Sequence, residues 1–208
     1  MEFAIYIARQ IGVKPVFKTV DPADRIKVLK EGRADLVVAS LGKTAEREKE
    51  VDFSLGYFVS TQKLVAKKGQ FKDLLQLDKM TVCVASGTTN GPKLKSMAHG
   101  IQLVELPDNA EVFKALQEGK CDAASGAEAT LLGNLAKMPG KQAYEVPDVP
   151  IASEAFGVAM RKGEKRLQQQ VNDALTASES SGEAEKIYDH WFGAGAAVQL
   201  PRSFKISR

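Results

Sequence analysis

The sequence predicts an α/β protein built as two similar lobes. Helix-patterned stretches alternate with short apolar runs along the chain, and a twenty-residue unit that starts at Asp21 returns at Asp108, 87 positions later. Small polar loops follow several apolar runs, at the carboxyl strand ends where parallel β-α units place their ligands.

Taken in order, residues 2–11 bring Phe3, Ile7 and Ile11 to one helical face, and Gly12 ends the helix. A strand is expected at 16–20. Asp21 then offers an N-cap and Pro22 a first helical position, ahead of apolar Ile26, Val28 and Leu29 and a stop at Gly32. Residues 34–40, Ala-Asp-Leu-Val-Val-Ala-Ser, form an apolar run suited to a buried parallel strand. Residues 21–40 laid over 108–127 agree at seven of 20 positions, among them Leu29/Leu116, Gly32/Gly119 and Asp35/Asp122. One recurrence of so long a unit points to two lobes rather than a solenoid, although any helix-Gly-strand unit shares part of this pattern. Beyond it the patterning predicts strands at 81–86, 101–106, 121–126, 143–146 and 156–160. Helices are expected at 92–98, 110–117 and 130–137, and then at 164–178 and 183–192 with a break at Ser181 and Gly182.

Composition excludes several classes. Of 208 residues 44% are hydrophobic and 26% charged, as in an ordinary globular protein. The net charge of +3 is spread thinly, with no run of five basic residues, so nucleic acid is not an expected partner. No apolar stretch reaches the ~18 residues that span a bilayer, and as written the chain carries no signal peptide. Cys83 and Cys121 each lie in or beside an apolar run and are read as buried thiols, a disulfide being the alternative. His99 and His190 stand alone, so neither a metal nor a cofactor is expected.

Two strand ends carry chemistry. After the run at 34–40 come Ser40, Leu41, Gly42, Lys43 and Thr44. Thr44 can cap a short helix holding Arg47, whose planar fork suits a carboxylate, the alternative being a surface ion pair to Glu46 or Glu50. After the run at 81–86 come Ser86, Gly87, Thr88 and Thr89, then a helix start. Backbone N–H groups, hydroxyls and a helix dipole can cradle an anion there, unless the loop is a plain turn. It matches neither a P-loop nor a dinucleotide fingerprint.

Four strings in order, Thr-Ala-Glu-Arg-Glu-Lys-Glu-Val-Asp-Phe-Ser (44–54), Ser-Gly-Thr-Thr (86–89), Phe-Gly-Val-Ala-Met-Arg-Lys (156–162) and Ser-Gly-Glu-Ala-Glu-Lys-Ile-Tyr-Asp-His-Trp-Phe (181–192), cover essentially the whole chain. Together they resemble the polar amino-acid-binding proteins of bacterial ABC transporters, the extracellular solute-binding protein family 3. The resemblance implies a type II periplasmic-binding-protein-like fold. Lobe one would comprise 1–59 plus 162–208 and lobe two 60–161, joined by a two-strand hinge that closes on a ligand, with an ABC transporter permease as partner. It also implies that Arg47 binds a carboxylate with help from Ser40, Gly42, Ser86, Thr88 and Thr89, and that Phe53 is structural. In similar glutamate/aspartate binders an arginine at the place of Arg25 meets the side-chain carboxylate, which suggests an acidic amino acid; the alternative is a solvent-facing arginine. Where many relatives carry an ammonium-binding Asp this chain has Ala127, with Glu128 beside it. The family also begins with a signal peptide and a first strand that have no match here, so the intact protein is expected to be periplasmic and lobe one incomplete. An enzyme is not expected. The rival readings are a carboxylic-acid dehydratase, for which Glu128 would be the general acid, and the effector-sensing domain of a regulator.

Overall fold

The computed structural model describes residues 1–207. The chain forms two compact units, the first from Met1–Val20, Asp24–Val59 and Ala155–Arg208, the second from Asp21–Ala23 and Ser60–Glu154. Apart from the short excursion at Asp21–Ala23, the chain passes from one unit to the other inside two strands, β2 (Val51–Lys67) and β7 (Ala152–Arg161).

Unit 1 opens with α1 (Glu2–Ile11), which Gly12 ends as its spacing predicts: at φ 81 the glycine turns its N–H back to the carbonyls of Ala8 and Arg9. The strand expected at 16–20 does not form. A strand needs a neighbour for its N–H and C=O groups, and none of the described residues pairs with this segment, which leaves Val16 93% and Phe17 52% exposed. After α2 (Arg25–Lys30) the run at 34–40 pairs only over β1 (Leu36–Val37), antiparallel to β7 with Leu36 opposite Met160. Val28, Leu29, Val37, Leu41, Val51, Phe53 and Ala159 form the core here, which gives Phe53 the structural place the resemblance implied. A helical turn, α3 (Arg47–Glu50), leads into β2. The long α7 (Lys165–Ser180) and α8 (Glu183–Phe192), separated at Gly182 with φ 75, pack on α1. Beside them Phe58 is ringed by Phe156, Tyr188, Phe192 and Phe204 at centroid distances of 5.4–5.9 Å.

In unit 2 the strands β3 (Thr81–Ala85), β4 (Gln102–Leu106) and β5 (Ala123–Ala127) are parallel in the order β5-β3-β4. The second half of β2 runs antiparallel to β5, with Gln62 opposite Ala127 and Lys63 opposite Gly126, and β6 (Tyr144–Glu145) pairs with the end of β2. The helices α4 (Asn90–Met97), α5 (Asn109–Gln117) and α6 (Glu128–Lys137) complete the unit. Val82, Val84, Leu64 and Leu94 belong to one of its cores, and Val65, Phe113, Leu116 and Leu131 to the other.

The recurrence in the sequence is a recurrence of one structural corner. Glu31 and Glu118 donate their backbone N–H to Lys27 and Lys114, Gly32 and Gly119 to Leu29 and Leu116, and Arg33 and Lys120 to Val28 and Ala115. Both glycines sit at φ near 70 (68 and 71), the left-handed conformation that closes a helix at least cost. At the other end of the unit the copies differ. The Asp108 carboxylate caps α5 through Glu111 N–H, whereas Pro22–Asp24 forms a 3-10 turn before α2, so α2 starts three residues later than its spacing predicts.

A further expectation is overturned. Cys83 and Cys121 are joined in a disulfide with their Cα atoms 5.8 Å apart. Cys83 lies inside β3 and Cys121 just before β5, so the parallel pairing of those strands, which no local pattern reveals, brings the two sulfurs together.

Two outcomes follow for stability. The bridge closes a loop of 38 residues, for which chain entropy gives about 4 kcal/mol, so the C83S/C121S variant should show that loss in urea titration of unit 2. Asp52, buried at the start of β2, accepts from Gly163 N–H at 2.9 Å and from Lys165 at 3.0 Å and pairs with Lys162 at 3.1 Å. Burial alone would raise its pKa, but these donors outweigh burial and hold it below the ordinary value of 3.8. A depressed carboxylate contributes stability above its unfolded value and loses it as pH falls through the folded one. The D52N variant should therefore be roughly 1–3 kcal/mol less stable at pH 7, with the gap to wild type closing below about pH 3.8.

Candidate functional site

The residues singled out in the sequence fall into two sets, one on each unit. In unit 1 the segment that follows β1 is zipped onto β7: Gly42 bridges Phe156, Lys43 N–H donates to Ala155 O at 3.1 Å and Gly157 N–H to Leu41 O at 3.3 Å. Gly157 allows this close approach, since a Cβ there would meet Lys43 and Phe53 carbons at 3.0 Å and push against both side chains. Leu41 is buried beneath the turn while Ser40 stays exposed.

Two guanidinium groups reach this segment. Arg47 is placed by Thr44, whose hydroxyl accepts from Arg47 N–H at 3.2 Å, and its Nη1 donates to Gly42 O at 2.8 Å. Glu50, one of the surface partners considered for it, is taken by Lys30 at 2.7 Å. Arg25 is not solvent-facing. Only 6% of it is exposed, and its Nη1 donates to Ser40 O at 2.8 Å. In the recurrent corner its counterpart is Val112, a core residue, so a cation stands where the sister copy packs an aliphatic side chain. Next to it the buried Tyr57 hydroxyl donates to Ala39 O at 2.8 Å. Burial raises the phenol well above its ordinary pKa against the pull of Arg25, so it stays a donor.

In unit 2 the loop after β3 turns at Gly87, with φ 71, and Ser86 N–H donates to Leu106 O at 2.7 Å. Both threonine hydroxyls donate within the unit, Thr88 to Ala85 O at 2.7 Å and Thr89 to Glu154 Oε2 at 2.7 Å. An anion seated there would rely on backbone N–H groups and on Ser86, with the threonines orienting the loop.

Glu128 opens α6, and Ala127 at the N-cap supplies no capping side chain. Lys63, which the sequence reading missed, donates to Glu128 Oε1 at 2.7 Å and to Asp148 Oδ1 at 2.7 Å, with its own side chain only 9% exposed. Burial by itself would lower the pKa of Lys63, but the two carboxylates outweigh it and raise it, so the lysine is charged and the negative charge of Glu128 is compensated. Lys63 at the edge of the apolar run Leu-Val-Ala (64–66) was the available signal. A second missed residue is Glu154 in β7, whose Oε2 also accepts from Lys93 at 2.8 Å. Among the described residues no cluster of His, Cys, Asp and Glu could hold a metal ion, and no helix is long and apolar enough to cross a membrane.

The model of the bacterial extracellular solute-binding proteins, family 3, matches residues 1–194. This chain belongs to that family. The family's fold accounts for the mixed α/β architecture and its two units. An ABC transporter glutamine-binding protein of Bacillus subtilis (strain 168) is 34% identical over 198 residues, covering 91% of this chain and 71% of that protein. An L-glutamate/L-aspartate-binding protein of Pseudomonas aeruginosa is 33% identical over 185 residues, covering 86% of this chain but only 61% of the relative, less than two thirds of its length. Among solved structures, an ancestral arginine-binding protein bound to glutamine superposes with a TM-score of 0.86 at 34% identity, covering 92% of this chain and 86% of that one.

Removing Lys63 should leave Glu128 uncompensated in a partly buried place. K63M is expected to cost about 2 kcal/mol, or roughly 4–8 °C in calorimetric midpoint, and adding E128Q should restore part of the loss.

Proposed function

We propose that this protein captures an amino acid for uptake through an ABC transporter, and that the ligand is acidic, glutamate or aspartate. The observation that carries the acidic reading is the convergence of two guanidinium groups on three consecutive residues of unit 1, Arg25 on Ser40 O and Arg47 on Gly42 O. Two forked cations so close favour an anion with two carboxylates, one for each fork. Arg47 takes the α-carboxylate, assisted by Ser40 and Gly42, and in unit 2 Ser86 and the backbone N–H groups of the loop it opens, oriented by Thr88 and Thr89, suit an anion. Arg25 takes the side-chain carboxylate. The relatives whose names state glutamine or glutamate and aspartate support an amino-acid ligand of this size.

The protein is a binder rather than an enzyme in this reading, because Glu128, the one candidate general acid, is ion-paired to Lys63. Its place is the periplasm and its partner the membrane permease. A disulfide in the core of unit 2 fits a compartment that keeps thiols oxidised.

Calorimetric titration with the twenty standard amino acids tests the reading: L-glutamate or L-aspartate should bind, and silence across the panel would overturn it. R47A should lower the affinity about 100-fold or more, whereas R25A should weaken L-glutamate roughly 10-fold while affecting L-glutamine less.

A further inference from the structure

In unit 2, Glu154 and Gln62 have one feature in common. Glu154 directs Oε2 to Thr89 Oγ1 at 2.7 Å and Lys93 Nζ at 2.8 Å, but Oε1 is buried and meets no donor among the described residues. Gln62, only 3% exposed, donates through Nε2 to Asn90 O at 3.1 Å and Ser125 Oγ at 2.9 Å, and its Oε1 is likewise buried without a donor. Exchanging the amide atoms of Gln62 gives no relief, because an oxygen would then face the carbonyl of Asn90. Both acceptors therefore flank the start of α4 at Thr89 and Asn90, beside the loop that offers N–H groups to an anion.

Buried acceptors are satisfied in nearly all folded proteins, so two orphans at one place mark where a donor is to be added. The donor that suits a carboxylate oxygen next to an anion cradle is a cation carrying several hydrogens, and an α-amino acid presents that pair of charges on one carbon. Residue 127 is an alanine, and the carboxylate of Glu128 beside it is held by Lys63. We propose that Glu154, through Oε1, receives the ammonium group of the amino-acid ligand, with Lys93 and Thr89 holding the carboxylate in place through Oε2. The assignment rests on the amino-acid reading given above, and it makes Glu154 the residue that distinguishes an amino acid from the same acid without its amine.

The test compares L-glutamate with glutarate, its amine-free analogue, by calorimetric titration of wild type and E154Q. Wild type should prefer L-glutamate. In E154Q that affinity should drop about 10- to 100-fold while glutarate binding holds, as expected for loss of a charge-assisted hydrogen bond. Equal losses for both ligands would make Glu154 a support for the loop, and unchanged L-glutamate binding would leave Oε1 to an internal water; either result overturns the proposal while the amino-acid reading stands. If wild type binds no amino acid in the panel, both fall. Should E154Q not fold, judged by its circular dichroism melting curve, E154D keeps the charge on a shorter arm. Its L-glutamate affinity should fall while glutarate is spared, and equal affinities to wild type for both ligands would overturn the assignment.

Discussion

A charge removed from water must find its counter-charge, and β2 carries two such charges eleven positions apart. Asp52 calls in Lys162 and Gly163 from the turn after β7 and Lys165 from the start of α7, more than a hundred residues downstream. Lys63 calls in Glu128 from the start of α6 and Asp148 from beyond β6. Leaving either unpartnered would cost several kcal/mol, so these contacts specify which distant segments lie against this strand. In unit 1 the pairing supports the strand beside which the Gly42 segment is zipped. In unit 2 it anchors the corner where β5 passes into α6.

How much of this was legible depends on the range of the interactions. Corners made by neighbours in the chain could be read: Gly12, Gly32 and Gly119 end their helices through carbonyls no more than five residues away, and the spacing of apolar residues announced those helices. Segments whose state depends on a distant partner could not. Residues 16–20 have a strand's composition and, among the described residues, no strand beside them, and 34–40 pairs over only two residues. β2 escaped notice because its seventeen residues mix Asp, Ser, Gly, Gln and Lys into an apolar run, which breaks both the alternating and the continuous pattern. A buried thiol and half of a disulfide look alike along the chain, since only the pairing of β3 with β5 distinguishes them.

The candidate site follows the same rule. Arg47, Thr44 and the loop at 86–89 could be found because they sit at strand ends with local caps. Lys63 and Glu154 were missed because their partners lie 61 to 85 positions away. Arg25 could have been found more firmly from within the chain. Aligning the two corners sets it against Val112, and a cation in place of an aliphatic residue at a shared core position sets that copy apart from the one that kept its packing role.

The bridge between Cys83 and Cys121 makes a covalent ring of the chain, and that ring encloses the loop at 86–89, α4, β4 and α5. A protease that cuts anywhere within it opens the backbone without releasing a fragment, so the loop at 86–89 remains attached on both sides of the cut. The segment that a single nick would otherwise free is thus held at two points.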